Sequence, residues 1–246
     1  MKDTIFDVVR ATAGLGFFDA IKVTVTDTEA TIDTIDANQT IVVKGTLNGV
    51  NADMIGEYGM GNLPFLNGLC NLYNKEGSEI TVERKQRNGV EVPEYFVFKD
   101  AEGNTDRYRL MGKNIVDQQV QTVKFKGAKW DVSFQPTKAK VQEMTQKAAV
   151  YGSIEPMFSM KSDGQDLIVQ FGSDAGGGHF GKMVLAPGGG SGMKDGWAWP
   201  LDKFLAVLKH GMAGECTVQL SNQGAAMITV DTGMGKFDYI LPGHAK

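Results

Sequence analysis

The feature that most constrains the fold of this chain is an internal repeat within its 246 residues. The motif F-L-x-x-L stands at residues 65–69 and again at residues 204–208, an offset of 139, and each copy has the apolar spacing of one helix face. A proline lies near the start of each helix, at Pro64 and Pro200, where its missing N–H leaves no helical hydrogen bond unmade. The chain is therefore expected to contain one structural unit twice.

Further predicted elements surround the two copies in the same order. Helical spacing also occurs at residues 2–14 and, with Thr137 as a candidate N-cap, at residues 137–150. Strands are predicted at 21–25, 40–43, 79–82 and 106–110 in the first half, and at 157–160, 167–170, 182–185, 216–220 and 236–241 in the second. Each half therefore consists of a helix, strands, a second helix and more strands. This order predicts an α+β fold made of two tandem helix-sheet-helix-sheet domains, with the helices packed on one face of each sheet.

The segment between the halves has a different pattern. Residues 113–133 lack helical periodicity and contain four lysines, which is typical of an interdomain connector that is partly an extended edge strand. We therefore predict a first domain at 1–132, including the connector at about 113–132, and a second domain at 133–246. The alternative is that repeat-like spacing arose by chance in an unrelated α+β protein.

Composition excludes several classes of protein. Hydrophobic residues make up 42% and charged residues 22% of the chain, as in ordinary globular proteins. No apolar run approaches the roughly 20 residues of a spanning helix, and the N-terminal residues contain acids where an export signal has its apolar segment. Cys70 and Cys216 lie far apart in apolar surroundings, so we interpret both as reduced core residues of a cytoplasmic protein (host cell cytoplasm if viral), with a disulfide as the alternative.

The chain contains little that indicates an enzyme. Residues 176–181 match G-x-G-x-x-G, but a predicted strand follows the last glycine where the dinucleotide motif requires a helix. The glycine run at 188–192 is not followed by the Lys-Ser/Thr pair of a phosphate loop. His179, His210 and His244 lack metal-ligand spacing with one another or with the cysteines. We therefore expect no catalytic residues, no cofactor and no metal.

The order of elements, the apolar segments LPFLNGLCNLY and LDKFLAVL, and the ending FDYILPGHAK resemble the sliding clamp family, which includes the T4-type bacteriophage clamps and the proliferating cell nuclear antigen (PCNA). The resemblance covers nearly the whole chain. It implies a homotrimeric ring whose helices line a central hole, encircle double-stranded DNA without sequence preference and tether the replicative polymerase, with a clamp loader as a further partner and no membrane. The glycine-rich stretch at 172–192 is longer than a family loop needs to be.

The resemblance makes the predicted helices the candidate DNA-binding layer. The four helical segments carry seven basic against four acidic residues, a net charge of +3, whereas the rest of the chain has a net charge of -7. Such a layer attracts phosphates without reading bases. The candidate DNA-binding residues are Lys2, Arg10, Lys138, Lys140, Lys147, Lys203, Lys209 and His210. We expect the second domain to dominate, because Asp3 and Asp7 share a helix face with Arg10 and neutralise it.

Two further surfaces follow from the resemblance. Partner peptides of the family bind between the domains, beside the connector and the C-terminal strand, and the matching residues are Val123, Phe125, Tyr239, Leu241 and Pro242. Family rings close by pairing edge strands of neighbouring subunits, which here are predicted at 106–111 and 181–186. The predicted interface residues are Arg107, Tyr108, Arg109, Leu110, Met183 and Leu185, with the apolar ones exposed on unpaired edges.

Each of these predictions has an alternative. The helical lysines could simply solvate outer helix faces, and apolar side chains near residue 240 could pack on their own domain. The predicted edge strands could be covered by other parts of the same chain. The rival function is a phage structural protein, in which a duplicated β-rich domain builds a tail or capsid ring. A structural ring has no need of lysines that face a hole, so the basic helical layer discriminates between the two functions.

Overall fold

A computed structural model describes residues 1–87, 89–121, 125–173 and 178–246. The chain divides into two compact units: Met1–Val123 with Thr232–Phe237, and Lys124–Asp231 with Asp238–Lys246. The domain boundary placed between residues 132 and 133 from the sequence stays a prediction.

The first unit contains three α-helices and eight strands among its described residues. They are α1 (Lys2–Ala11), β1 (Ala20–Val25), β2 (Ala30–Ile35), β3 (Val42–Leu47), β4 (Gly56–Gly61), α2 (Leu63–Leu72), β5 (Glu79–Arg87), β6 (Val90–Lys99), β7 (Thr105–Arg109), β8 (Met111–Gly112) and α3 (Lys113–Gln119), with 3-10 turns at Ala13–Leu15 and Ala52–Met54. Antiparallel pairing gives the order β8-β4-β1-β2-β3 in one sheet and β5-β6-β7 in the other. On its other side β3 lies next to the strand that begins at Gly235–Phe237, residues that group with this unit.

The core of the first unit lies where its helices pack on the sheets. The apolar face of α1 buries Ile5, Phe6 and Val9, and α2 packs against it. The segment Thr232–Phe237 is held to the same unit because Thr232 Oγ1 donates a 2.7 Å hydrogen bond to the carboxylate of Asp7. A buried carboxylate requires such a donor, so Asp7 is part of the core of this unit and does not lie on its surface.

The second unit repeats this arrangement. Its elements are β9 (Val132–Phe134), α4 (Lys138–Tyr151), β10 (Met157–Ser162), β11 (Leu167–Gly172), β12 (Phe180–Ala186), β13 (Trp197–Pro200), α5 (Leu201–Gly211), β14 (Glu215–Leu220), β15 (Ala225–Asp231), the part of β16 (Gly235–Pro242) that follows Phe237, and β17 (His244–Ala245). One sheet has the order β12-β11-β10-β13-β17, and β14 pairs with β15 and β9. As predicted, Thr137 caps α4, since its hydroxyl accepts from the N–H of Lys140. The core contains Phe158, Trp199 and Phe204.

The two units share one topology. In their order across the sheet, the strands β3-β2-β1-β4-β8 correspond one by one to β12-β11-β10-β13-β17. The helices occupy the same places in the order, with α1 and α2 packed together in one unit and α4 and α5 packed together in the other. This confirms the predicted α+β fold with tandem copies of a helix-sheet-helix-sheet domain.

The repeat offset within the second helix of each unit is 138 rather than the predicted 139. At an offset of 138, Leu63 matches Leu201, Leu66 matches Phe204, Leu69 matches Val207 and Cys70 matches Leu208, and all eight side chains are buried. Phe65 is therefore not the counterpart of Phe204. It lies outside the buried face of α2 and is half exposed.

Three other details differ from the sequence predictions. The connector prediction is wrong at its start, because residues 113–119 form α3, a helix of seven residues in which Val116 alone is buried and which is too short to show apolar periodicity. Strand β3 begins at Val42 rather than residue 40, since the carboxylate of Asp36 accepts from the backbone N–H groups of residues 40 and 41. The sequence interpretation also omitted eight strands, namely β2, β4, β6, β8, β9, β13, β15 and β17.

Both cysteines are free and buried, as predicted. Burial raises the pKa of the Cys70 thiol to about 12, with Arg10 opposing the shift, and burial raises that of Cys216 to about 11. An unperturbed thiol titrates near pH 9.0. The fold therefore favours the neutral thiol, and this part of the stability is complete below pH 9 and lost as pH rises toward the folded-state pKa.

We expect the free energy of unfolding to fall by about 1.4 kcal/mol per pH unit for each thiol above pH of about 9. Denaturant unfolding between pH of about 8 and 9.5 measures this slope, since most lysines and tyrosines stay protonated up to pH of about 9.5. Substituting Cys216→Ala should make the slope shallower without changing its sign. A slope that is the same in wild type and Cys216→Ala would contradict the assignment.

Candidate nucleic-acid interface and subunit edges

The basic residues of the four predicted DNA-binding helices differ in how far they are available to a ligand. Arg10, Lys138 and Lys209 are exposed, whereas Lys147 and Lys203 are half-buried. Arg10 and Lys209 stand in the last turns of α1 and α5, where a positive charge also stabilises the carbonyl end of the helix. The exposed positions are therefore the stronger candidates for phosphate contact.

The first helix differs from its prediction at both ends. Lys2 is held by its own unit, because its ammonium donates to the carbonyl oxygens of Lys75 at 2.8 Å and Ser78 at 3.2 Å and lies over the Phe6 ring. The predicted neutralisation of Arg10 by Asp7 is wrong, since Asp7 is buried while Arg10 is exposed. Within the described part of the chain, Arg10 forms no ion pair. Arg10 is thus a stronger candidate, and Lys2 a weaker one, than the sequence indicated.

Two of the predicted second-unit residues also have local partners. Lys140 forms an ion pair of 2.8 Å with Glu143 on the same helix. His210 packs edge-on against the buried ring of Tyr239, with 6.3 Å between ring centroids. These contacts reduce what Lys140 and His210 offer to a ligand.

Both predicted edge strands lie at sheet edges. Among the described residues, β7 is the last strand of its three-stranded sheet and β12 the last strand of its five-stranded sheet. The apolar residues predicted to be exposed there are buried, namely Tyr108, Leu110, Met183 and Leu185. An edge strand exposes its backbone hydrogen-bonding groups, and its side chains alternate between the two sheet faces regardless. The exposed-side-chain part of the prediction is therefore wrong.

The two arginines of β7 face outward. Arg107 pairs with Glu83 at 2.6 Å, and Arg109 lies 3.9 Å from Glu94. Glu94 is itself buried and receives two hydrogen bonds from Arg87. Both arginines of β7 keep more than half of their side-chain surface exposed, so they remain available to an added strand.

Four of the exposed apolar side chains lie on or just after the second helix of the first unit and the first helix of the second unit. Next to β7, Phe65 stacks on Tyr108 and is 48% exposed, and Leu72 at the end of α2 is 55% exposed. Beside β12, the Tyr151 hydroxyl donates to the Phe180 carbonyl oxygen, and the neighbouring Val150 and Ile154 are 62% and 56% exposed. The sequence interpretation missed these four residues, although an apolar residue outside a helix's buried spacing is a readable signal.

The predicted partner-binding residues divide into buried and accessible ones. Tyr239 and Leu241 are both fully buried, so the prediction that they contact a partner peptide is wrong. Pro242 is exposed and Phe125 is half-buried, with its ring 6.1 Å from that of Trp130. Val123 lies outside the described residues. Pro242 and Phe125 remain predictions.

The structure also bears on the enzyme alternative. Gly181, the last glycine of the dinucleotide-like motif, lies inside β12 and not at a helix start, while residues 174–177 lie outside the described residues. Across the described ranges, no group of three or more His, Cys, Asp or Glu side chains could hold a metal ion. No helix in the same ranges has the length and apolar character to cross a membrane.

Comparison with known proteins shows what the fold is. No family model matches this chain, and no curated protein matches it by sequence. The solved structure of PCNA from Entamoeba histolytica superposes with a TM-score of 0.72 at 11% identity, over 99% of this chain and 96% of that chain. PCNA from Thermococcus kodakaraensis gives a TM-score of 0.72 at 10% identity, over 99% and 97% of the two chains. A. fulgidus PCNA, in a structure with the C-terminal region of FEN-1, gives 0.68 at 12% identity, over 100% and 97%.

The chain therefore has the PCNA-like sliding clamp fold along its whole length.

Proposed function

We propose that this protein is a DNA sliding clamp of the T4 bacteriophage type, a non-enzymatic processivity factor that encircles duplex DNA as a homotrimer. The observation that carries the proposal is the clamp fold of both units combined with basic residues on their helices and an open sheet edge in each unit. A structural ring protein accounts for the edges but not for the basic helices.

The repeat itself supports a head-to-tail assembly. Strand β3 has β16 as its neighbour, and the counterparts of these strands in the other repeat are β12 and β7. Adding β7 of one copy to β12 of the next would repeat, between chains, a pairing already made within one. Because such a contact joins two different surfaces, it forms a closed ring when the rotation permits, and the clamp resemblance implies three copies.

The exposed side chains beside these edges fit the same contact. Phe65 stacks on Tyr108 of β7 and shares its helix face with Leu72, while Val150 and Ile154 lie close in sequence to Tyr151, whose hydroxyl contacts β12. Strand addition would then bring the two apolar pairs toward one interface. Apolar patches of this kind on an otherwise charged surface mark sites of protein association.

The partners of the proposed clamp are duplex DNA, the replicative polymerase and a clamp loader. DNA contact would be sequence-independent, since lysine and arginine side chains on helix surfaces attract phosphates and carry no base readout by themselves. Pro242 and Phe125 are the accessible residues from which polymerase contact would be tested.

We expect retention on nicked circular DNA to depend on the basic residues of the helices, of which Arg10, Lys138 and Lys209 are exposed and Lys147 is half-buried. Substituting Lys138, Lys147 and Lys209 with alanine removes nine charges from a trimer, and each lost phosphate contact lowers the salt-dependence slope by about 0.9. Arg10→Ala should weaken retention as well, by about one third of that effect, if each charge contributes equally. The measurement compares retention of loaded protein across a salt series.

A matched control removes three exposed lysines that lie off these helices, Lys85, Lys194 and Lys236. It has the same net charge change and should keep nearly full retention. Equal losses in the two triple variants would contradict the helical DNA interface. A wild-type ring that is never retained on circular DNA would favour the structural ring protein.

A further inference from the structure

The two units cover equivalent sheet faces differently. In the first unit, Lys22 of β1 stands opposite Asp33 of β2 and Gly59 of β4. In the second unit, Ser159 of β10 stands opposite Gln170 of β11 and Ala198 of β13. These two triplets therefore occupy the same register, and their surroundings can be compared directly.

The helix α3 covers this face in the first unit. Val116 and Val120, four residues apart, are buried with Ala20, and the partly buried Met111 packs against them. The close approach depends on Gly59, because a Cβ atom there would lie only 2.6 Å from the Cβ of Val116.

Charged residues fasten the same helix. The Asp117 carboxylate lies 2.5 Å from the Lys22 ammonium and 2.7 Å from that of Lys113, and Lys113 also pairs with Glu57 at 2.7 Å. The hydrogen bond from Lys113, followed by that from Lys22, holds the pKa of Asp117 below its usual value. The sheet surface on which α3 packs is thus apolar at its centre and charged along one side.

The equivalent face of the second unit is an open groove. It has a volume of about 560 Å³ and is lined by Met157, Ser159, Gln170, Gly172, Ala198 and His244, among others. Met157, Gln170 and Ala198 keep part of their surface exposed, and no helix in the described residues covers them. The space comes from small residues, since Ser159 stands where Lys22 does and Gly172 where Ile35 does.

We infer that this groove binds a short amphipathic helix of a partner protein, seated as α3 is seated in the first unit. The first unit shows directly which kind of element this face of the fold accepts, so the occupant follows from the repeat. The inference concerns a groove within the second unit and does not depend on DNA binding or on ring formation.

The groove also indicates the chemistry of the helix. The partner helix would carry two apolar residues at positions i and i+4, equivalent to Val116 and Val120 of α3. Leucine-sized side chains would suit the space left by Ser159 and Gly172. An amide would replace Asp117, because Ser159 and Gln170 carry no charge while Lys22 and Asp33 do. The Ser159 hydroxyl donates to the amide oxygen of Gln170 at 3.5 Å, which leaves the amide N–H groups of Gln170 to donate to a neutral side chain.

The probe is a fluorescein-labelled peptide copy of residues 113–121 with Val116→Leu, Asp117→Asn and Val120→Leu. A covalent staple between positions 114 and 118, which are exposed in α3, pre-forms the helix and removes most of the ordering cost. Fluorescence anisotropy with the full chain should show saturable binding. The same peptide with Val116→Asp and Val120→Asp should not bind.

Two variants block the groove in different ways. Ala198→Leu fills the bottom of the groove with a larger side chain, and Gln170→Arg places a long charged side chain in it. Each should weaken peptide binding by about tenfold or more. Ala213→Leu is the matched control, since it adds the same side chain at an exposed turn outside the groove and should bind as wild type does.

Thermal unfolding of each variant separates a blocked groove from a misfolded unit. No saturable binding to wild type, or equal binding to the groove variants and to Ala213→Leu, would overturn the inference. A fall in oligomeric state caused by Ala198→Leu would also overturn it, because the occupant would then be a second copy of this chain. Retention of Ala198→Leu on circular DNA should be unchanged, so failure of this inference and failure of the proposed function are distinguishable.

Discussion

The variants Phe65→Glu and Val150→Lys should each convert a trimer into monomers of 26.6 kDa that remain folded. Both side chains are at least about half exposed, so the only contact with a core residue at stake is the stacking of Phe65 on Tyr108, and Val150→Lys tests the interface without it. Glutamate near the start of α2 and lysine near the end of α4 also suit the helix dipoles, which protects the fold. Loss of an apolar anchor at each of three interfaces, at about 2 kcal/mol or more per anchor, is enough to dissociate the ring.

Sedimentation at matched concentrations measures this effect, with Val90→Glu as the control. Val90 is 62% exposed, as is Val150, but it belongs to the β5–β6 hairpin and to neither edge. Substituting the buried Tyr108 or Leu110 with aspartate would not test the interface, because the unit itself would lose stability. A wild type that is monomeric, or edge variants that stay trimeric, would contradict the proposed assembly.

Truncating the fully buried residues of β16 should produce the largest loss of stability. We expect Leu241→Ala to lower the free energy of unfolding by about 2–5 kcal/mol and Tyr239→Ala by about 3–5 kcal/mol, because each leaves a cavity in a packed interior. Denaturant unfolding of the whole chain measures both. Pro242→Ala, at the exposed end of the same strand, is the control and should change stability by less than about 0.5 kcal/mol.

These values decide how a polymerase experiment should be interpreted. A variant that combines Tyr239, Leu241 and Pro242 substitutions would lose polymerase stimulation through unfolding alone. Pro242→Ala and Phe125→Ala test partner contact with far smaller effects on the core. Full stability of Leu241→Ala would show that the side chain is not buried as described.

Helix spacing and the repeat were sufficient to predict the fold class, because an apolar stripe has one period and two matched halves pack in the same way. The sequence could not predict in the same way which side chains of β7 are buried. Alternation places Arg107 with Arg109 on one face and Tyr108 with Leu110 on the other, but it does not tell which face the helices cover. The sheet edge was predicted correctly, and its side chains were assigned to the wrong face.

The candidate DNA-binding residues show a second limit of sequence reasoning. Counting charges on helices identified the basic layer, yet local partners decide which cations are available. Lys2 reaches carbonyl groups more than 70 positions away in the chain, and Asp7 reaches Thr232, contacts that helix spacing cannot show.

The different charges of the two equivalent sheet faces bear on how long an occupant would stay. If α3 left its seat, Lys22 would lose its closest carboxylate and be left with Glu57 at 4.0 Å, so departure is opposed by an ionic cost. Ser159 and Gln170 would exchange a departing helix for water and leave no charge unpaired. The open groove is therefore suited to fast dissociation, so a partner helix would bind there reversibly while α3 stays in place.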